Sequence, residues 1–141
     1  MSDEKSKVFE DEFMEVQSGL ISLCMEFIGE NEVDKVYAYG SIEDGSYSFN
    51  AFFEVNGENK KPKAFEPQVQ KIYKFLNVGT LELANIEDVC TQYNKPIPTE
   101  IKMYYDVKTG KFNADYKYEP VCVDKSAGEV FDEWMEEYKN K

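Results

Sequence analysis

Two stretches of alternating side chains, each bent around a short turn signal, constrain this chain more than any other feature in it. Val33 to Glu43 and Ser46 to Val55 are β-rich runs separated only by Asp44-Gly45. A two-residue hairpin loop needs positive φ at both positions, and Asp-Gly tolerates it, so a type I′ turn is expected there. Val36, Ala38, Gly40 and Ile42 then share one face of the first strand, and Tyr37 and Tyr39 share the other. In the return strand Tyr47, Phe49, Ala51, Phe53 and Val55 alternate with Ser48, Asn50, Phe52 and Glu54. Asn56-Gly57 marks a further turn, and Lys63-Ala64-Phe65 is expected as a short edge strand, where Pro62 is tolerated. A second hairpin is expected from Glu100 to Val107 and Lys111 to Glu119, around Lys108-Thr109-Gly110.

Helical spacing fills the remainder. Phe9, Phe13, Val16, Leu20, Leu23 and Phe27 step by three and four residues, one apolar stripe over residues 4 to 29. Pro67 is expected to open a second helix carrying Val69, Ile72, Tyr73 and Leu76, then Leu83, Ile86, Val89, Cys90 and Tyr93. Gly79-Thr80 interrupts that pattern, which leaves one helix with a weak point or two helices; Lys95-Pro96-Ile97-Pro98 ends it. Ser126-Ala127-Gly128-Glu129 has capping-box spacing before Val130, Phe131, Trp134, Met135 and Tyr138. The order α-β-β-(β)-α-β-β-α describes one α+β domain over residues 1–141. Its antiparallel sheet has four to five strands from two hairpins, with helices packed mainly on one face.

Composition now excludes several functions. The chain has no His, and all 16 of its basic residues are Lys. Nucleophile pairs that use His are therefore ruled out, as is bidentate Arg recognition of phosphate. Net charge is 16 − 28 = −12. A phosphate backbone needs a basic path, so nucleic acid is not expected as a partner. Through Asp34 the chain holds ten acids and two lysines, 2 − 10 = −8. Such a concentration suits either a soluble helix face or a docking face for a basic partner. Cys24, Cys90 and Cys122 form no Cys-x-x-Cys pair and are expected as reduced thiols. No cofactor motif, metal-site spacing, ~20-residue apolar span or apolar leader occurs, so a cytoplasmic protein without cofactor, metal or membrane partner is expected.

The two strand faces differ. Val36, Ala38, Ile42, Phe49, Ala51, Phe53, Ile101, Met103, Phe112 and Ala114 are uniformly apolar and belong under helices. The opposite set mixes tyrosines with carboxylates and amides. It reads either as a binding surface or as an ordinary face, solvated or covered by a loop or by the second helix. The interface residues expected on the first reading are Tyr37, Tyr39, Phe52, Glu54, Tyr104, Asp106 and Asp115.

Several segments together resemble the YezG-like family of bacterial immunity proteins, the antitoxins paired with secreted nuclease toxins. They are Asp34-Lys35-Val36-Tyr37-Ala38-Tyr39, Ser48-Phe49-Asn50-Ala51-Phe52-Phe53, and Thr109-Gly110-Lys111-Phe112-Asn113-Ala114-Asp115-Tyr116-Lys117-Tyr118-Glu119, with Trp134 in the last helix. The resemblance implies a non-enzymatic, cytoplasmic protein. It would bind a cognate toxin 1:1 and occlude the basic active face of a nuclease. A secretion chaperone that holds an effector without inhibiting it is the alternative expectation, and a carboxylate-dependent enzyme a third.

Overall fold

The turn residues set the sheet. Asp44 and Gly45 take φ of 52° and 75°, and Asn56 and Gly57 take 52° and 82°, so both loops have the left-handed pair that tight hairpins require. In the computed structural model, which describes residues 2–139, they join β1 (Lys35–Glu43), β2 (Ser46–Val55) and β3 (Glu58–Lys60) into a meander. β4 (Glu100–Asp106) and β5 (Phe112–Lys117) form the second hairpin. The five strands pair antiparallel in the order β3-β2-β1-β4-β5, and Ala38 sits opposite Ala51 on one side and Met103 on the other.

The third strand lies earlier than expected. Asn56-Gly57 turns the chain at once, so Glu58–Lys60 pairs with β2, whereas Pro62–Ala64 forms a 3₁₀ turn. Pro62 has no N–H for a ladder, and its fixed φ suits the start of a helical turn. Helix α2 begins at Val69 and runs unbroken to Gln92. Gly79 does not break it. A Cβ there would lie 2.1 Å from the Phe49 ring, so this glycine lets α2 approach the sheet. Thr80 Oγ1 donates to the Leu76 carbonyl at 2.9 Å, which satisfies its hydroxyl within the helix.

Helix α1 (Ser2–Ile28) lies beside α2 on one face of the sheet. Together they bury Leu20, Cys24, Ile28, Phe75, Leu83 and Ile86 against Val36, Ala38, Phe49, Ala51, Phe53, Ile101 and Met103. The apolar strand face is thus covered as expected. The opposite face is covered too. Helix α3 (Ala127–Lys139) crosses it and forms a second core, Phe131 and Trp134 on Tyr37, Tyr39 and Phe52. Two helices therefore share one face and the third takes the other. The reason is physical: the stripe through Phe131 and Trp134 needs apolar surface, and α1 and α2 already occupy the first face.

Local contacts hold α3 in place. Ser126 Oγ accepts the Glu129 N–H at 3.2 Å, the cap that the sequence spacing implies. The Glu43 carboxylate, at the end of β1, accepts the N–H groups of Val121 and Cys122 at 3.1–3.3 Å and fixes the chain entering α3. No helix among the described residues is long and apolar enough to cross a membrane.

Candidate protein-binding faces

The seven expected interface residues do not form one open surface. Tyr37, Tyr39 and Phe52 are 5%, 1% and 0% exposed, because α3 lies over them. They are core residues, and the expectation that they contact a partner directly is corrected. Their rings pack with Trp134 at centroid distances of 5.1–6.0 Å. Tyr39 donates its hydroxyl to Glu100 Oε2 at 2.8 Å. Burial, and then that carboxylate, push its pKa far above the ordinary tyrosine value. Burial also pushes Tyr37 up to about 12.

The other four lie at the periphery. Tyr104 is half-buried and donates to Asp115 Oδ2 at 3.0 Å. Asp106 accepts the N–H groups of Lys108 and Thr109 at 3.0 and 3.2 Å, so its first duty is the β4–β5 turn. Glu54 is half-buried on β2, paired in register with Lys35. Tyr37, Tyr104 and Asp106 meet along a cavity of ≈ 460 Å³ whose other walls include Lys35, Lys111, Phe112, Asn113 and Tyr138. Asp115 adjoins it through Tyr104, whereas Glu54 is not among its walls.

On the face of the sheet away from α3, α1 and α2 form an acidic surface. Glu12, Glu15 and Glu82 line a groove of ≈ 430 Å³ with Val16, Val89 and Gln92, and no lysine lines it. Gly19 faces α2, where a Cβ would make an ordinary contact of 3.9 Å with Glu82 Oε2. Glu10 and Asp11, on the same helix, are exposed. Among the described side chains, residues 8–138, no ion pair reaches Glu10, Asp11, Glu12, Glu15 or Glu26. The ion pairs involve Asp34, Glu58, Glu66, Glu100, Asp132 and Glu133 instead. Lys95 stands nearby, 5.7 Å from the Phe9 ring.

Sequence reasoning missed Glu100. It is 2% exposed, held by Tyr39, with Lys102 and Lys117 ammonium groups at 3.7 and 4.0 Å. Its place after Pro98-Thr99 gives no local signal; only the β1–β4 register brings it to Tyr39. Cys24 and Cys90 are buried, and burial raises both thiols, which suits packing and not nucleophilic chemistry. Among the described residues no group of three or more Cys, Asp or Glu is placed to hold a metal ion.

The fold is an α+β domain whose five-stranded antiparallel sheet lies between a helix pair and a single helix. No family model matches the sequence, and no curated protein matches it.

Proposed function

We propose that this chain is an immunity-type protein that binds a cognate toxin 1:1 and blocks it, the toxin being a nuclease with a basic active face. The observation that carries the reading is the α1–α2 face: a groove of Glu12, Glu15 and Glu82 without a lysine, none of the three in an ion pair among the described side chains of residues 8–138. A nuclease must attract polyanions, so the surface around its active site is basic. Unneutralised carboxylates speed encounter with such a surface and set orientation, and a plug seated there excludes substrate sterically. The resemblance to immunity proteins supports the same reading.

Co-expression with the nuclease encoded by the adjoining gene tests it. The expected result is a 1:1 complex without nuclease activity, whose association slows with salt as the screening length falls from about 10 Å at 0.1 M to about 3 Å at 1 M. Absence of a complex at low salt refutes the reading. A complex that keeps full nuclease activity identifies a chaperone instead.

A further inference from the structure

The sheet has two edges, and they are not alike. β3 has three residues and runs into Pro62, so that edge is short and blocked. β5 has six residues, no proline, and pairs only with β4. Its hydrogen-bond phase follows from one bond: Asp106 N–H donates to the Lys111 carbonyl at 2.9 Å, so positions 111, 113 and 115 face β4. Phe112, Ala114 and Tyr116 therefore turn their N–H and C=O groups outward, and among the described residues nothing pairs with them. The ≈ 460 Å³ cavity lies directly beside this edge, walled by Phe112 and Asn113 of β5 itself and by the tyrosines of β4 and β1. An open strand edge and an aromatic pocket thus share residues.

From this juxtaposition we infer that β5 is a docking edge for an extended segment of a partner protein, which adds a sixth strand and sets one large aromatic or apolar side chain into the cavity. Main-chain bonds to Phe112, Ala114 and Tyr116 supply affinity, and the pocket supplies selectivity. Long side chains reach diagonally across a neighbouring strand, so an anchor beside Asn113 can enter the cavity over it. Two residues along, on the same face, the added strand meets the exposed Asp115. A lysine or arginine fits there, which gives the segment the spacing aromatic-x-basic. A second copy of this chain is the poorer occupant, because two chains of net charge −12 repel each other. This edge shares no residue with the α1–α2 groove, so the inference goes beyond the toxin reading and does not rest on it, and its test does not require the toxin.

Random twelve-residue peptides displayed on phage are the probe. Wild-type protein is expected to enrich peptides with an aromatic residue spaced two positions from a basic one. Ala114→Pro removes one outward N–H and no bond to β4, so it should fold, with an unchanged circular dichroism spectrum, and bind the enriched peptides about tenfold more weakly. Asn113→Trp, which fills the cavity mouth and leaves the edge intact, is the second variant and should lose the aromatic preference. Amide exchange at Phe112, Ala114 and Tyr116 should slow when a synthetic copy of an enriched peptide is added. No enrichment, enrichment indifferent to both variants, or a peptide-free dimer abolished by Ala114→Pro would each overturn the inference. The toxin reading would survive any of these, since it stands or falls on inhibition of the nuclease.

Discussion

Replacing Trp134 with alanine should release α3 while the rest of the fold stays assembled. Trp134 is 2% exposed and touches aromatic rings of Tyr37, Tyr39, Phe52, Tyr104, Phe131 and Tyr138. Burying about 150–250 Å² of ring at about 25 cal/mol per Å² is worth roughly 4–6 kcal/mol, and measured Trp→Ala costs in cores run at about 3–5 kcal/mol. The other ties of α3 are peripheral: the Ser126 cap, the Glu43 carboxylate at its entry and the exposed Lys61–Asp132 ion pair at 3.0 Å. Among the described α3 side chains only Phe131 and Trp134 are fully buried, and a 13-residue helix is marginal in water alone. Trp134 belongs to the second core; the first, under α1 and α2, has its own seventeen buried residues among those described. At 1.4 kcal/mol per decade, a loss of about 3–5 kcal/mol speeds local opening by roughly two to four orders of magnitude. Native-state amide exchange is the assay. Amides of residues 130–138 should exchange faster by that factor, while Val36, Ala38 and Met103, deep in the sheet, should keep most of their protection. If α3 and β1 amides accelerate together, the two layers form one cooperative unit and the separation argued here is wrong.

Gly79→Ala should destabilise the protein by about 1–3 kcal/mol in urea denaturation, because the added Cβ meets the Phe49 ring and overpacking outweighs the gain of roughly 1 kcal/mol in helix propensity. A stabilised variant would show that α2 has room to move. Tyr39→Phe leaves buried Glu100 Oε2 without its hydroxyl donor and should cost about 1–3 kcal/mol in the same assay, an unchanged midpoint counting against the buried bond. Asp34 accepts the Asn56 N–H at 2.9 Å and lies 3.3 Å from Lys108 Nζ, which together hold its carboxyl below the ordinary aspartate value. A depressed folded pKa gives stability that is complete above the unfolded value, near 4, and is lost as pH falls through the folded one. Asp34→Asn should therefore flatten the acid limb of a stability–pH curve below about pH 4; a limb of unchanged steepness would exclude Asp34 from it.

Much of this architecture was legible because its signals are local. Asp44-Gly45 and Asn56-Gly57 state their own backbone conformation, and the alternation around them assigns each residue a side of the sheet. The three- and four-residue steps of Phe9 to Phe27 identify α1 in the same way. What the sequence hid depends on contacts far along the chain. A stripe such as Val130 to Tyr138 says that a helix needs apolar surface, not which surface it finds. Whether Tyr37, Tyr39 and Phe52 lie open or covered was not legible, because polar residues such as Asn50, Glu54, Asp106 and Asp115 share their side of the sheet. The register shows the difference: Tyr37 lies directly between Phe52 and Tyr104, so the aromatics are central and the polar groups peripheral. Gly79 looked like a helix defect for the same reason, since the Phe49 ring it accommodates is thirty residues away.

The position of α3 after all five strands has a consequence during synthesis. β1 and β2 leave the ribosome long before Phe131 and Trp134 do, so Tyr37, Tyr39 and Phe52 face water until α3 emerges. Each nascent molecule passes through an interval with a sticky aromatic patch uncovered, and transcripts cut short before residue 131 would make products that never leave it. Such fragments should associate with one another or with chaperones, even though their hairpins are intact.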